Sequence, residues 1–221
     1  MDEATLVLKN IAGLLVVPLL VLLNAFFVAA EFSLVAVRWT KVEEMVRAKK
    51  RGALAVKEAV SRLDDAIAAT QLGITVASLA LGWAGEPAVV HVLQPLLQAL
   101  PFGWQEAAAH TISVTLAFLF ITFLHVVVGE LAPKAMALQR PDMLAMYIAT
   151  PLLMFAKITR PAIVVMNGAG NAVVRMLGMK PHHGHHLVHS VEELYLLVQE
   201  SRRAGVIAAD QAEYLTNVFR L

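Results

Sequence analysis

The sequence predicts an all-α integral membrane protein with three transmembrane helices, several short helices and a juxtamembrane helical belt. Hydrophobic residues make up 58% of the 221 residues and charged residues only 16%, which is too apolar for an ordinary soluble domain. Uncharged runs of 21, 20 and 23 residues occupy positions 10–30, 66–85 and 107–129. A helix of such length crosses a hydrocarbon layer of ~30 Å. The lipid bilayer is therefore the first predicted partner.

Composition also excludes several classes of function. The chain has no cysteine, which rules out disulfides, thiolate metal sites and a cysteine nucleophile. A formal net charge of +1 argues against nucleic acid as a partner. The first apolar run is long and has neither a basic lead nor a clear cleavage site, so we predict a span rather than a cleaved signal.

We place the three spans at about residues 10–38, 64–85 and 106–131 of a transmembrane domain that covers residues 1–180. Residues 87–105 are also uncharged, but Pro95, Pro101 and Gly103 predict short helices and turns there.

The belt helices are predicted at about residues 141–178. Their two uncharged stretches, 143–156 and 161–174, have 14 residues each, which suits helices at the membrane interface better than spans. A four-span protein is the alternative if Leu144–Ile158 crosses the membrane.

The distribution of lysine and arginine predicts the orientation. No Lys or Arg lies between the second and third spans, and six lie between residues 132 and 180. Eight more follow the first span: Arg38, Lys41, Arg47, Lys49, Lys50, Arg51, Lys57 and Arg62. Because cytoplasmic loops are rich in these residues, we expect the amino terminus outside the cell and the carboxyl terminus in the cytoplasm.

The third uncharged run leads into the sequence HVVVGELAPK, residues 125–134, which combines an acid, a proline and a lysine. Pro133 has no N–H, so the α-helical hydrogen bond to the Gly129 carbonyl cannot form. We expect a bare carbonyl beside the Glu130 carboxylate, a pairing of oxygens that suits a small, hard cation. The alternative is a helix end with Glu130 and Lys134 among the lipid headgroups.

Each predicted span has one polar face. The residues at helical spacing are Gln71, Thr75, Ser78 and Gly82 in the second span, Thr111, Thr115, Thr122, His125 and Gly129 in the third, and Asn24 and Glu31 in the first. Small and hydroxylic residues in lipid often serve only close helix packing. Three such faces with acids at the membrane edge favour a polar lining.

Residues 181–221 are predicted to form a cytoplasmic linker. The histidine-rich tract at 182–189 contains Gly184 and suits a surface linker, with a transition-metal site as the alternative. Ser190 and Glu193 resemble a capping box at the start of a helix. A second helical pattern, 210–221, stops without a cap, so we expect the natural chain to continue.

The sequence resembles the transmembrane domain of the CorC/CNNM magnesium transporter family over nearly its whole length. The matching segments are LNAFFVAAEFS (23–33), QLGITVASLALGW (71–83), GEP (85–87) and GELAPK (129–134). The resemblance implies a homodimer and a cytoplasmic CBS-domain pair that senses ATP with magnesium. That pair is absent from this sequence, so ATP should act only through the missing domain.

The resemblance also implies a cation site where broken first and third helices meet the second. Carried over by position, the metal ligands are Asn24, Ser78, Gly129 and Glu130. The residues expected to support them are Glu31, Gln71, Thr75, His125, Pro133 and Lys134.

We therefore predict a transporter of Mg²⁺ in the cell membrane, and not an enzyme. Sodium as the coupling ion and export as the direction are what the resemblance implies, and broken helices permit alternating access. The main alternative is a non-transporting anchor that dimerises a cytoplasmic nucleotide-sensing domain. An intramembrane hydrolase using His125 and Glu130 is disfavoured, because five residues correspond to ~500° around a helix and hence to different faces.

Overall fold

The computed structural model describes residues 3–98, 106–179, 191–203 and 205–218, and every regular element in these ranges is helical. The helices are α1 (Glu3–Ala36), α2 (Trp39–Arg47), α3 (Ala53–Ser61), α4 (Leu63–Ala80), α5 (Glu86–Gln98), α6 (Glu106–Leu124), α7 (Ala132–Gln139), α8 (Pro141–Ile158), α9 (Arg160–Met176), α10 (Val191–Arg203) and α11 (Ala209–Val218). Two π-helical segments interrupt them, π1 (Leu81–Gly85) between α4 and α5 and π2 (His125–Leu131) between α6 and α7. The predicted all-α membrane fold is confirmed.

In the described part of the chain, four stretches are long and apolar enough to cross a membrane: Leu15–Ala36, Leu63–Gln94, Ala108–Gln139 and Pro141–Ile158. The first three match the predicted spans: Leu15–Ala36 lies within 10–38, Leu63–Gln94 includes 64–85, and Ala108–Gln139 overlaps 106–131. The fourth is α8, which we predicted to lie in the belt and which forms the extra span of the four-span alternative.

The second and third stretches are longer than predicted because their prolines do not end them. Helix α5 passes Pro95 and ends at Gln98, so the predicted break at this proline is wrong, while Pro101 and Gly103 lie outside the described residues. Pro133 is the second residue of α7, and the helix continues past it to Gln139 although its missing N–H leaves the Gly129 carbonyl without an α-helical donor.

The irregular backbone is distributed differently from the expectation. The resemblance implies a broken first helix, but α1 is a continuous α-helix from Glu3 to Ala36. The second and third spans contain the irregular turns instead, as π1 and π2. In π2, the Ala132 N–H donates to the Val127 carbonyl five residues earlier, which is the π-helical pattern.

Buried apolar side chains in the first unit form two clusters. The large cluster contains Phe27, Ala29, Ala30, Leu34, Val37, Val42, Met45, Ala53, Val56, Ala59, Ala66, Ala68, Ala69, Ala145, Ile148, Ala149, Leu152 and Ile163. The small cluster contains Val17, Val21, Leu81, Val89, Val90, Ala117 and Ile121. In α1 the buried Asn24 lies between the two clusters, and in α4 Ser78 lies between them as well. A polar layer therefore separates two apolar halves of the bundle.

Helix α8 packs against α1, α3 and α4. Gly52, in the turn before α3, has φ +84°, and a Cβ there would overlap the Met146 carbonyl oxygen of α8. Farther along α8, the Phe155 ring lies 4.8 Å from the Phe27 ring of α1. Phe27 is nine residues, or ~14 Å, before the end of α1. Helix α8 thus extends from the α2–α3 turn to the level of Phe27 in α1.

The chain divides into two compact units, Met1–His182 and His183–Leu221. In the second unit, α10 and α11 pack on each other and bury Ala212. The predicted capping box at Ser190 and the histidine tract lie outside the described residues.

Candidate cation site

Asn24 connects the first span to the third. It is 1% exposed, and its Nδ2 donates to the carbonyl oxygen of Gly129 at 3.0 Å. Pro133 cannot supply the α-helical donor to this carbonyl, and the Asn24 amide donates to it instead. The expectation of a bare Gly129 carbonyl is therefore wrong, because a side chain from another span satisfies it.

Ser78 extends this contact to the second span. Its Oγ donates to Asn24 Oδ1 at 3.2 Å and lies 3.1 Å from His125 Nε2. A serine hydroxyl has a single hydrogen, so the hydrogen bond with His125 is one in which Nε2–H donates to Ser78. A chain of hydrogen bonds thus leads from His125 through Ser78 and Asn24 to Gly129. We call these four residues the polar cluster.

The backbone at Gly129 is closely surrounded by this cluster. A Cβ at Gly129 would lie 3.2 Å from His125 Cδ2 and 3.3 Å from Asn24 Nδ2, closer than most such contacts. It would also lie 3.7 Å from Val21 Cγ1. A side chain at position 129 would therefore require His125 or Asn24 to move by a few tenths of an ångström.

Three of the four residues of the polar cluster lie in or close to the π-helical segments. His125 and Gly129 both belong to π2, and π1 begins three residues after Ser78. Single π-helical turns inside α-helices occur frequently at functional sites. Irregular backbone at membrane depth is tolerated where protein or a polar cavity can satisfy it, as Asn24 does for Gly129.

Glu130 follows Gly129 directly but is not part of the hydrogen-bonded chain. Its side chain is exposed and has no hydrogen bond or ion pair with any described residue. No group of three or more His, Asp or Glu side chains that could hold a metal occurs within the described ranges. The available donors are therefore carbonyl, amide, hydroxyl and imidazole groups, with one unpaired carboxylate beside them.

Lys134 of α7 contacts α1 through the Phe32 ring and lies near Glu31 without forming an ion pair with it. Thr70 Oγ1 lies 3.4 Å from Glu31 Oε2, and the Lys134 ammonium attracts the Glu31 carboxylate. Lys134 Nζ also lies 4.5 Å from the centre of the Phe32 ring. This group holds α7 against the first span.

The other predicted supporting residues do not join the polar cluster. Gln71 and Thr75 are exposed, and Thr75 Oγ1 donates to the Gln71 carbonyl of its own helix at 2.8 Å. Pro133 is buried in the first turn of α7. Of the polar face on the second span, only Ser78 meets the other spans through the hydrogen bonds described above.

These features define the class of the protein: it is a multi-pass membrane protein with a partly buried polar cluster that connects its first three long apolar helical stretches. Residues 14–211 match the family described as the cyclin M transmembrane N-terminal domain, or CNNM. The chain belongs to this family, and the predicted resemblance is confirmed. The family is associated with magnesium transport.

Named relatives are similar over nearly the whole chain. It is 40% identical to UPF0053 protein YrkA of Bacillus subtilis (strain 168) over 94% of this chain and 47% of YrkA. It is 38% identical to UPF0053 protein YhdT of the same strain, over 96% of this chain and 46% of YhdT. The uncharacterized protein Rv1841c of Mycobacterium tuberculosis (strain ATCC 25618 / H37Rv) is 35% identical over 96% of this chain and 59% of Rv1841c. The chain spans about half the length of the curated relatives that it matches.

Proposed function

We propose that this chain moves Mg²⁺ across the cell membrane and that Asn24, Ser78, Gly129 and Glu130 hold the ion. The observation that supports this most directly is the polar cluster, which brings oxygen atoms from three spans together beside an unpaired acid. Polar and ionisable side chains inside the membrane are costly, and those that face the interior of a helix bundle are candidates for an ion or substrate pathway.

The atoms of the polar cluster lie at hydrogen-bond distances from one another, so the oxygens of Asn24, Ser78 and Gly129 are close enough to share one small cation. Successive hydrogen-bonded atoms are separated by 3.0, 3.2 and 3.1 Å. Neighbouring ligands of Mg²⁺, with bonds of ~2.0–2.1 Å at right angles, are ~2.9 Å apart. If the Asn24 amide turns over, its oxygen faces the Gly129 carbonyl oxygen, and a cation between them relieves the repulsion of the two acceptors. Binding then needs little movement of the backbone.

Glu130 supplies the negative charge. A site with one carboxylate leaves the bound ion with a net positive charge, and Mg²⁺ retains several of its waters in such sites. The exposed Glu130 side chain can attract the hydrated ion before the ion reaches the polar cluster. Export coupled to sodium entry, through alternating access, completes the proposal; membership of the family and the π-helical turns beside the site support it.

The substitution Glu130→Gln tests the site, because it keeps the shape and removes the charge. We expect it to abolish measurable Mg²⁺ binding while the protein still folds. Loss of the anionic ligand should cost at least ~4 kcal/mol, or roughly a thousandfold in affinity. Calorimetric titration of the purified chain in lipid nanodiscs measures this.

The matched control is Glu58→Gln, an exposed acid of α3 outside the spans, which should bind Mg²⁺ like the parent. Unchanged binding by Glu130→Gln would place the metal elsewhere. Proteoliposomes with a magnesium-sensitive dye, with and without an opposing sodium gradient, test the coupling and the direction.

The alternative of a non-transporting anchor predicts that the parent chain binds no Mg²⁺, so the same titration distinguishes the anchor from the transporter.

An enzymatic function could be suggested by the Ser78–His125 contact, which resembles a nucleophile–base pair. However, the Ser78 hydrogen is directed to Asn24 rather than to His125, which argues against nucleophilic activation. We propose that the chain is not an enzyme.

We further propose that two copies associate in the membrane, with the amino terminus outside and the carboxyl terminus in the cytoplasm. Large apolar side chains of α6 are exposed and suit contact with lipid or with a second copy: Leu116, Phe118, Leu119, Phe120 and Phe123. ATP would act only through a cytoplasmic domain outside these 221 residues.

A further inference from the structure

We propose that α2 and α3, which we call the α2–α3 hairpin, form a binding surface for anionic phospholipids of the membrane that the protein spans. This inference goes beyond the proposed function, because it concerns a surface outside the polar cluster and needs no transported ion. With the predicted orientation, these lipids belong to the cytoplasmic leaflet.

Short connections to two spans hold the α2–α3 hairpin at the membrane surface. Helix α1 ends at Ala36 and α2 begins at Trp39, while α3 ends at Ser61 and α4 begins at Leu63. Two of the apolar stretches that can cross the membrane end at Ala36 and begin at Leu63. Because the connections have two residues and one residue, the hairpin stays at the depth of the lipid headgroups, a layer ~5–7 Å thick on each side of the hydrocarbon.

One side of the α2–α3 hairpin packs on the bundle, and the other side is exposed. The exposed side has large apolar groups, because Leu54 is 73% exposed and Trp39 is 44% exposed. Lys57 Nζ lies 5.7 Å from the centre of the Trp39 ring, and Lys57 neighbours Leu54 one helical turn away. Tryptophan, lysine and an exposed leucine on one side are typical of a surface in contact with lipid headgroups. The packed side contributes Val42, Met45, Ala53, Val56 and Ala59 to the large cluster.

The charge of this segment complements an anionic headgroup. Residues 38–62 contain eight Lys or Arg and only three Glu. Lys41 pairs with Glu44 at 2.8 Å, and Arg47 lies 3.8 Å from Glu43. Clusters of basic residues directly beside a span attract anionic lipids. Five exposed cations form no ion pair with any described residue and are available for lipid phosphates: Arg38, Lys49, Lys50, Arg51 and Arg62.

The backbone conformation at Lys49 is one that disfavours lysine. Helix α2 ends in a Schellman motif, in which the Lys49 N–H donates to the Val46 carbonyl and the Lys50 N–H to the Met45 carbonyl, both at 3.0 Å. Lys49 occupies the position that glycine usually fills in this motif, and its φ is +52°. Glycine would be more stable there. The local fold therefore does not explain a lysine, whereas a third cation beside Lys50 and Arg51 does.

Native mass spectrometry of the purified chain in detergent, titrated with phosphatidylglycerol or phosphatidylcholine, measures the binding of each lipid. We expect phosphatidylglycerol to bind at least about tenfold more tightly than phosphatidylcholine. The triple substitution Lys49→Gln, Lys50→Gln and Arg51→Gln should abolish this preference. Leu54→Ser keeps the charge and should weaken phosphatidylglycerol binding by about threefold while the preference remains.

The matched control is the triple substitution Arg175→Gln, Arg202→Gln and Arg203→Gln, which removes the same charge from exposed positions outside the α2–α3 hairpin. It should keep the preference of the parent. A preference lost equally in both triple variants would overturn the proposal, because net charge alone would then explain binding. Equal affinity of the parent for the two lipids would overturn it without any substitution. Displacement of the lipid by an equal concentration of glycerol 3-phosphate would also overturn it, since a soluble phosphate would then be the ligand.

The substitution Lys49→Gly separates a role in lipid binding from a role in the fold. We expect it to weaken phosphatidylglycerol binding by about threefold or more, and to leave the melting temperature unchanged or raised, because glycine suits this backbone. A lower melting temperature together with weaker lipid binding would overturn the assignment of Lys49 to the lipid surface. None of these measurements involves Mg²⁺, so their failure leaves the proposed function to be judged by its own titration.

Discussion

Gly129 is the residue on which the first and third spans converge. Its carbonyl accepts a hydrogen bond from Asn24, and its missing side chain allows Asn24 and His125 to approach the backbone. Pro133 removes the competing helical donor. The missing N–H of Pro133, the missing side chain of Gly129 and the hydrogen bond from Asn24 together determine the surroundings of this one carbonyl group.

The substitution Gly129→Ala should weaken Mg²⁺ binding by about tenfold or more, because small displacements of ligands are costly in a metal site. A Cβ would lie 3.2 Å from His125 and 3.3 Å from Asn24, so both side chains must move by a few tenths of an ångström. Calorimetry measures the effect. Gly82→Ala in π1 is the control, since no atom lies within 4 Å of its Cβ position. Parent-like binding by Gly129→Ala would argue against a cation at this carbonyl.

The sequence predicted part of this cluster and missed part of it. Asn24, Ser78 and Gly129 were predicted as ligands, and the structure joins them by hydrogen bonds. The contact between Ser78 and His125 was not predicted. Helical spacing shows which residues share one face of a helix, but not which residues of two different helices lie at the same depth in the membrane. Gln71 shares the face of Ser78 and yet remains exposed.

At the scale of helices, the length of each uncharged run predicted the spans well, whereas the prolines did not predict where the helices end. The second and third predicted spans lie within the α4–π1 and α6–π2 stretches, and the first overlaps α1 up to its last residue, Ala36. The π-helical turns were not predictable, because one extra residue in a turn has no signature in composition. A proline after such a turn can open a new helix, as Pro133 does in α7.

Packing of α1 on α4 depends on Gly73. A Cβ there would lie 2.5 Å from three atoms of the Phe27 ring. That ring is buried, and its centre lies 5.1 Å from the centre of the Phe26 ring and 4.8 Å from the centre of the Phe155 ring. Phe27 therefore cannot move aside without disturbing the large cluster.

We expect Gly73→Ala to lower the free energy of unfolding by ~1–3 kcal/mol, as overpacking does in well-packed cores. Thermal denaturation in detergent measures this. Gly168→Ala in α9 is the control, because its Cβ meets open space and alanine favours a helix. The double substitution Gly73→Ala with Phe27→Leu should recover part of the loss, and no recovery would show that the ring is not the obstacle.

At the scale of the whole molecule, the path of α8 determines the number of spans. Met146, in its second turn, faces Gly52 in the turn before α3, and Phe155, in its last turn, contacts Phe27 of α1. Three spans therefore place positions 50 and 177 on the same side of the membrane, and a crossing by α8 would separate them.

The absence of cysteine makes every single-cysteine variant directly usable for labelling. With a membrane-impermeant maleimide on intact cells, we expect labelling at position 103, and labelling at 50 and 177 only after permeabilisation. Labelling of 177 together with 103 would show four spans. Labelling of 50 but not of 103 would reverse the predicted orientation.

Replacing the histidine tract tests whether Mg²⁺ is bound by the transmembrane domain alone, without the predicted linker. Replacement of His182, His183, His185 and His186 by serine should leave Mg²⁺ binding and transport unchanged, because Mg²⁺ prefers oxygen ligands and the tract lies in the predicted linker. The same calorimetry and dye assay measure this. A large loss of Mg²⁺ binding would show that the tract contributes to the Mg²⁺ site.

For the proposed transport function, the two apolar clusters, with Asn24 and Ser78 between them, would limit how an ion can travel. An ion that passes from one face to the other must cross both clusters. Opening one exposes only that half of the interior to water, whereas opening both would expose most of the buried apolar surface of the bundle. A continuous pore is therefore much costlier than two successive half-openings. The protein should work as a carrier, whose turnover is limited by helix rearrangement on the microsecond-to-millisecond timescale and not by diffusion of the ion.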